Sequence, residues 1–549
     1  MPVSKPLATP DTHEVFNQTP ALGSCNWFAA DRALAEAVRR AGGAQHGRRL
    51  SRLGRRAASA EADEWGTLAN RHVPTLENYD PQGRRIDEVD FHQAYHQLMT
   101  LGLGNGIAAA AWDGTPHGHV LHAAMGYILG QVDAGTICPM TMTYAAVPVL
   151  RKEPAVAEEW VPRILAARYD PASRPAADKA GVTIGMAMTE KQGGSDLRAN
   201  TTRAEPADGA RRTFLLTGHK WFCSAPMSDA FLTLAQTERG LSCFLVPRWL
   251  TDGQRNAGFR IVRLKDKLGD KSNATAEIEY DRAFAWRVGE EGRGIATILK
   301  AVQHTRLDCV VGSAATMRAA LVQALWHAQH RQSFGRRLAD HPAMAAVLAD
   351  LAVESEAATA LAFRIAATFD AGDPLARLLT PVAKYWICKR LPGFVAEAME
   401  CLGGNGYVET GPMPRHFRQS PVNAIWEGSG NIIALDLLRV LQREPEAVEA
   451  LRDFLAEPAG REASYDRWLS HIDLDHCEEA RARELVEQLA LAAQAAILLL
   501  AESPLAPIFC RTRLDARGLT YGATPGLADA LVVITRAMPM DPIPEQIDA

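Results

Sequence analysis

The sequence contains no CxxC pair, and its nine cysteines lie far apart in an odd total. That argues against a disulfide framework or a zinc ribbon, and for reduced thiols in a cytoplasm-like compartment. Long apolar runs are missing as well. The longest, Leu489 to Ala501, is interrupted by Gln494 and is too short to span a bilayer, so it reads as a buried helix. The opening stretch, MPVSKPLATPDTHEVFNQTPAL, lacks the apolar centre of a secretory signal. These absences give the expectation of a soluble, cytoplasmic protein with no membrane partner. There is no excess of basic charge either. A net charge of -5 argues against a generally basic nucleic-acid binder and leaves room only for local patches. Complete metal-ligand sets are absent. His92 and His96 stand four apart, and His117, His119 and His122 lie close together. Neither group brings the carboxylate or thiolate that would close a site, so no metal is expected.

What is present divides into four stretches. Residues 1–180 read as mostly helical, with Asp31 a plausible N-cap for a helix through Leu34 and Val38. A basic run follows: Arg39, Arg40, Arg48, Arg49, Arg52, Arg55 and Arg56, with no acidic residue between them. It suits phosphates, a subunit contact or a solvated helix face. Gly102, Gly104 and Gly106 have no preceding strand, which weakens any dinucleotide-loop reading.

Residues 181–289 carry short β-rich runs: Val182–Ile184, Phe214–Thr217, Phe231–Ala235, Cys243–Val246 and Ala276–Tyr280. Turn residues separate them, and the pattern predicts an antiparallel β-domain. Residues 290–445 return to helix, with segments over 294–299, 306–331, 343–367 and 379–399 long enough for a bundle. The last stretch, 446–549, is helical, then proline-rich and acidic. It has nine Arg, no Lys and eighteen Asp plus Glu, and only Arg511, Arg513 and Arg517 cluster.

The most informative segment is 401–440. A glycine-rich turn at Gly403 and Gly404 leads through a loop to Glu427, between Trp426 and Gly428-Ser429-Gly430, just ahead of a helical apolar pattern from Ile432 to Val440. The indole can desolvate the carboxylate while the glycines admit a ligand to the backbone, as a general base requires. A first-turn glutamate offsetting a helix dipole would use the same residues. Upstream, the loop from Met188 and Thr189 to Gly194 and Ser195 offers hydroxyls and exposed amides to a flavin or phosphate, although a surface turn uses similar residues. Trp221 and Phe222 lie in a strand-like run where a planar ring could stack. Arg331, with Phe334 and Gly335, marks a helix end able to hold a pyrophosphate, or an ordinary helix stop.

Taken in order and spacing, several motifs resemble the acyl-CoA dehydrogenase flavoprotein family: MTEKQGGSD at 188–196, KWFCS at 220–224, KLGDKSNATAEIEY at 267–280, GEEGRG at 289–294, RQSFGRRL at 331–338, LGGNGY at 402–407 and WEGSGN at 426–431. HEVFNQ at 13–18, YDPQGRRIDEVDFH at 79–92, CPMTMTYAA at 138–146 and the carboxy-terminal extension resemble its AidB-type branch, which is linked with the bacterial response to DNA alkylation. The resemblance implies an α+β, mostly α fold. Its parts are an amino-terminal helical domain (1–180), a middle β-domain (181–289), a helical bundle (290–445) and an added helical domain (446–549), in a homotetramer.

It also implies FAD as cofactor and an acyl-CoA or similar small molecule as substrate. Met188, Thr189, Gly194 and Ser195 would contact the flavin or its pyrophosphate, and Trp221 and Ser224 would flank the ring. Arg331, Phe334, Gly403 and Gly404 would reach the FAD of a neighbouring subunit. Trp426, Gly428, Ser429 and Asn431 would cover the flavin, and Glu427 would be the base, taking the α-proton as the β-hydrogen leaves as hydride. Arg306 and Ser195 would touch the substrate. Glu400 departs from the glutamine common in the family, and a carboxylate there would repel the pyrophosphate. The alternative reading is a DNA-associated flavoprotein with vestigial dehydrogenase activity, and any contact with double-stranded DNA would be weak and non-specific.

Overall fold

The protein is described by a computed structural model covering residues 12–23, 25–515, 518–524 and 530–539. The amino-terminal part contains α1 (Arg32–Arg40), α2 (Gly47–Ala57), α3 (Ala60–Arg71), a hairpin of β1 (Thr75–Tyr79) and β2 (Arg85–Asp90), then α4 (Gln93–Gly104), α5 (Gly118–Gly130), α6 (Ile137–Leu150) and α7 (Pro154–Leu165). Asp31 caps α1 through the Leu34 N–H, as its position suggests. The hairpin is the strand element within a start that reads as mostly helical. It forms because the Asp87 carboxylate, buried on β2, accepts from the Ile261 N–H of the middle domain, and Asn78 and Arg85 donate to the Ile261 carbonyl. A local pattern cannot announce a strand stabilised that far along the chain.

The middle domain comprises β3 (Ile184–Ala187), β4 (Arg203–Pro206), β5 (Thr213–Ser224), β6 (Ala230–Thr237), β7 (Gly240–Pro247), β8 (Phe259–Leu264) and β9 (Thr275–Arg287). The pairings β6–β7, β7–β9, β9–β5, β5–β4 and β4–β6 close five strands on themselves, with β3 added to β6 and β8 to β9. The sheet is mixed rather than purely antiparallel, because β3 and β4 both run parallel to β6. Alternation along β5 drives Phe214 and Leu216 inward, and Phe214 meets Phe244 edge-on at 5.1 Å between ring centres.

The bundle begins with α8 (Gly294–His330), which runs unbroken through the two segments read separately from sequence. A short hairpin follows, β10 (Gln332–Ser333) and β11 (Arg336–Arg337). Next come α9 (Pro342–Ala371), α10 (Ala376–Glu400), α11 (Gly404–Tyr407), α12 (Met413–Gln419) and α13 (Gly430–Arg443). α8 is long and apolar enough to cross a bilayer, but 83% of its apolar window is buried against neighbouring helices. The carboxy-terminal part adds α14 (Pro445–Ala456), α15 (Ala463–Leu469), α16 (Ala482–Leu500), α17 (Ala506–Phe509) and α18 (Ala530–Ala537). The apolar run that suggested a buried helix is α16, packed on α9, α10 and α13.

The arginine cluster expected in this last stretch does not form a surface patch. Arg513 is buried and paired with Asp350 at 2.5 Å and Glu354 at 3.2 Å, and Arg517 lies outside the described residues. Farther along, Arg536 clamps α18 to α1 and α9 through Glu36 and Glu356. The acidic residues of α9 therefore dock the added domain.

Burial sets a pH dependence. His416 on α12 is enclosed, and its imidazole is pushed down to about 3, by burial first and by Arg415 second. A depressed imidazole binds fewer protons when folded than unfolded, so its contribution is complete above pH ~6.5 and lost as pH falls toward the folded value. Replacing His416 by Gln should make thermal stability fall less steeply between pH 6.5 and 5 than in wild type, by at most about 1.4 kcal/mol per pH unit. Equal slopes in the two proteins would show that this imidazole is not held neutral.

Candidate active site

Glu427 lies in the loop between α12 and α13, in a left-handed conformation (φ 56°) that a non-glycine residue adopts only under constraint. Two buried cations supply the constraint. The Lys384 ammonium, 1% exposed on α10, donates to the carbonyls of Trp426 (2.7 Å) and Gly428 (2.5 Å). The Arg306 guanidinium, 5% exposed on α8, donates to the carbonyl of Glu427 itself (3.1 Å). Three successive carbonyls thus accept from charged donors, each such bond worth about 1.5–3 kcal/mol. Arg306 is fixed in turn by Asp436 of α13 at 2.7 Å, which also pairs with Arg377. The Thr305 hydroxyl donates to one oxygen of the Glu427 carboxylate at 2.7 Å.

Sequence reasoning missed Lys384, Thr305 and Asp436. A lone lysine in the apolar stretch of α10, and an aspartate on the buried side of α13, were the available signals. Arg306 was expected at the substrate. Its guanidinium is committed instead to Asp436 and the loop carbonyl.

The second wall comes from the β-domain. The loop from Met188 to Ser195 is pinned to β5 by the Trp221 N–H donating to the Thr189 carbonyl at 2.8 Å, and by Asn200 donating to the Met188 carbonyl. Gly194 lies so close to the Thr189 hydroxyl, 2.3 Å from where a Cβ would stand, that a side chain cannot fit. Ser195 is exposed.

Beneath the loop, Glu190 and Lys220 form an ion pair at 2.8 Å with both side chains fully buried. The Glu190 carboxylate also accepts from Thr201, Thr202 and Gln192. Burial favours its neutral form, but the bonds from Lys220 and Thr202 outweigh that and hold its pKa far below the usual carboxylate range. Burial pushes the Lys220 ammonium down to about 8 against the pull of Glu190. Trp221 is half-buried, with the Lys265 ammonium 3.6 Å from its ring centre. At the end of β5, the Ser224 hydroxyl bonds that of Thr275 at 3.3 Å.

At the start of α6 the Cys138 thiol is pushed up to about 12, by burial first and then by Asp270.

The remaining expected residues lie elsewhere. Arg331 is twenty-six residues beyond Thr305 on the α8 path, about 39 Å at 1.5 Å per residue. α10 runs parallel to α8, since Cys388 bonds Ser313 while Lys384 and Thr305 hold the same loop. Gly403 and Gly404, just past α10, therefore sit at the same far end as Arg331. There Phe334 is 97% and Tyr407 81% exposed. The Arg331 guanidinium donates to the carbonyl of Asn17, whose side-chain amide pairs both ways with the Gln332 backbone, so the HEVFNQ segment braces the β10–β11 hairpin. Glu400 is exposed at the end of α10, where it and burial raise the pKa of Glu397, burial contributing more.

The histidine groupings are structural. His92 caps α4, His96 bonds Tyr169, His119 bonds Tyr144 and His122 bonds Asp308. No metal-binding group of three or more ligands occurs among the described residues. Gly104 ends α4, and no dinucleotide loop forms.

The near wall suits a flavin dinucleotide. It offers a half-buried Trp221 ring, a glycine cradle at Gly194, an exposed Ser195, and a buried Trp426 indole N–H with no acceptor among the described residues. The far-end residues of one chain lie too far along the bundle to serve that chain's own near wall.

Residues 17–171 match the family model for the adaptive response protein AidB N-terminal domain. Residues 185–283 match the acyl-CoA dehydrogenase middle domain, and 292–442 its C-terminal domain. The chain is 47% identical over 519 residues to a putative acyl-CoA dehydrogenase AidB of Escherichia coli K12, covering 92% of this chain and 95% of that one. Among solved structures, the apo form of Bd2924 superposes with a TM-score of 0.80 at 28% identity, covering 89% of this chain and all of that one. The Caenorhabditis elegans ACDH-11 complex with C11-CoA superposes with a TM-score of 0.79 at 25% identity, covering 98% and 96%.

The buried Glu190–Lys220 pair yields a direct test. Glu190→Gln leaves the lysine charge uncompensated and should cost about 3–5 kcal/mol. The apolar pair Glu190→Leu with Lys220→Met should recover most of that loss. Thermal melts of the three proteins decide it, and a single variant as stable as wild type would contradict the pairing.

Proposed function

Because the chain belongs to the acyl-CoA dehydrogenase family, in its AidB-type branch, we propose that Glu427 is the base in an α,β-dehydrogenation of a short or branched acyl-CoA. The observation that carries this reading is the clamped loop. Three carbonyls accept from buried cations, and Thr305 holds one oxygen of the carboxylate on this strained backbone. The acyl-CoA held by the nematode relative supports the substrate class.

FAD, the family's cofactor, supplies the acceptor for the hydride that leaves the substrate's β-carbon. The chain's residues do the rest. Met188, Thr189, Gly194 and Ser195 would hold the cofactor from the β-domain side, Trp221 and Ser224 would flank its ring, and Trp426, Gly428, Ser429 and Asn431 would close over it. The free oxygen of Glu427 takes the α-proton, and the electron pair left behind forms the Cα–Cβ double bond. The Glu427 N–H has no acceptor among the described residues, which suits it to the thioester carbonyl as negative charge develops there. Arg306 acts as a positioning residue for the loop.

The same reading includes a homotetramer. The exposed Phe334 and Tyr407, with Arg331, Gly403 and Gly404, complete a neighbour's cofactor site. Changing Glu427 to Gln removes the base while keeping its shape. Flavin bleaching by acyl-CoA under anaerobic conditions should slow by about two orders of magnitude or more, with FAD retained. Bleaching at the wild-type rate would remove Glu427 from the role.

A second reading, contact with double-stranded DNA, is favoured by one feature. α2 buries Leu50, Leu53 and Ala57 and presents Arg48, Arg52, Arg55 and Arg56 to solvent, whereas Arg513 of the carboxy-terminal triplet is buried in ion pairs. Such binding would be indifferent to sequence and lost as salt rises. Alanine at Arg48, Arg52 and Arg55 should weaken DNA titrations and flatten their salt dependence more than alanine at Arg511. The reverse order would assign the contact to the carboxy-terminal domain.

A further inference from the structure

The segment KLGDKSNAT at 267–275 leads into β9 and ends beside Ser224, because Thr275 is the cross-strand partner of Ser224 on β5. Three contacts fix its shape. Gly269 packs so closely on the end of α12 that a Cβ there would stand 2.4 Å from the Arg418 carbonyl oxygen. Asp270 adopts a left-handed conformation (φ 55°), and its N–H donates to the side-chain carbonyl of Gln419 at 2.7 Å. The Ser272 hydroxyl donates to the Asp133 carboxylate at 2.8 Å. The bundle and the amino-terminal part therefore both hold this loop of the middle domain.

The loop closes around one ammonium. Lys267 Nζ donates to the Asp270 carboxylate at 3.0 Å, to the Asn273 carbonyl at 2.7 Å and to the Thr275 hydroxyl oxygen at 3.0 Å. An ammonium has three hydrogens and no lone pair, so all three are used and none of these bonds can reverse. That sets the direction of the next link. Thr275 is 4% exposed, and a hydroxyl hydrogen buried without an acceptor is costly. The partner for that hydrogen is the Ser224 oxygen at 3.3 Å. With Thr275 donating, Ser224 accepts, and the Ser224 hydrogen is left for another group. The Cys138 thiol, which also takes part in hydrogen bonding with Ser224, is kept neutral by burial and accepts weakly. Ser224 is half-buried rather than sealed, so its hydrogen can meet a ligand.

We propose that Lys267 and Thr275 are positioning residues that set the Ser224 hydroxyl as a one-way hydrogen-bond donor to an acceptor atom of the flavin ring. The inference rests on the reading that Ser224 flanks that ring. A lone serine hydroxyl rotates and alternates between donating and accepting. One that accepts from Thr275 presents its hydrogen before the ligand arrives, which lowers the cost of ordering the contact on binding.

The test uses the full chain loaded with FAD. The dissociation constant for FAD is measured by equilibrium release, and the visible absorption bands of the bound oxidised flavin report the hydrogen bond to its ring. Ser224→Ala should raise the dissociation constant roughly two- to tenfold, the worth of one neutral hydrogen bond, and shift the bands. Thr275→Val keeps the shape, removes the link and should move both readouts the same way, whereas Thr275→Ser should restore the wild-type values. Added to Ser224→Ala, Thr275→Val should have no further effect, because it acts through the serine. If Thr275→Val does not fold, Lys267→Met with Asp270→Asn removes the ammonium and its counter-charge together and should move both readouts in the same direction.

A folded Thr275→Val protein that matches wild type, while Ser224→Ala moves both readouts, overturns the relay alone. So does an equal effect of Thr275→Val with and without Ser224→Ala, which marks a threonine that only supports the fold. A Ser224→Ala protein with wild-type affinity and bands overturns the placement of Ser224 beside the ring, and the proposal with it.

Discussion

The candidate site depends on the hydrogen bonds from two buried cations to three consecutive carbonyls. A loop carrying Glu427 at positive φ just before Gly428 and Gly430 has no intrinsic reason to hold one shape. Lys384 and Arg306 give it one, and neither is available without a cost. An ammonium that is 1% exposed must have its donors satisfied, and the carbonyls of Trp426 and Gly428 satisfy them. Asp436 neutralises Arg306 and lies on the helix that the loop introduces, so the loop, α8, α10 and α13 are locked as a unit. The carboxylate is then the part of the loop free to meet a ligand, with Thr305 fixing one of its oxygens.

The rest of the molecule extends that arrangement. Within the β-domain the Glu190–Lys220 pair fixes the loop from Met188 to Ser195 against β5, and the parallel course of α8 and α10 carries a second set of residues to the opposite end. One chain therefore presents Glu427 near one end of the bundle and Arg331, Gly403 and Gly404 in its far half. The amino-terminal segment contributes to the far half, because Asn17 mimics a strand against Gln332 and occupies Arg331. The carboxy-terminal domain is docked by charge pairs on α9, at Asp350, Glu354 and Glu356, and contributes no described hydrogen bond to the Glu427 loop. Its own acids pair in part with arginines of the same domain, Asp475 with Arg452, Asp515 with Arg467 and Glu484 with Arg481.

Much of this was readable from residues alone, and the exceptions share a cause. The loops around Thr189, Trp221 and Glu427 announced themselves because glycines, hydroxyls and aromatics at such spacing constrain the backbone locally. The β1–β2 hairpin did not, since Asp87 and Asn78 are satisfied by Ile261, far along the chain. The segments over 294–299 and 306–331 read as separate helices. α8 continues through both because Arg306 finds Asp436 and Thr305 finds Glu427. Arg513 read as surface charge because its partners, Asp350 and Glu354, belong to another domain of the sequence. In each case a polar residue was buried by a partner that no local pattern names.

The central claim, that the buried cations hold the base in its working position, is tested most directly at Lys384. Lys384→Met keeps the length of the side chain and removes both hydrogen bonds to the loop. Anaerobic flavin reduction by butyryl-CoA and by its α,α-dideuterated form would be followed in wild type and variant, both carrying FAD. The account predicts that the variant reduces its flavin about a hundredfold more slowly or worse, with a larger α-deuterium effect, because proton removal by a mispositioned carboxylate becomes limiting. An FAD-loaded variant with wild-type rate and isotope effect would show that the loop needs neither bond, and that the account is wrong about what positions Glu427.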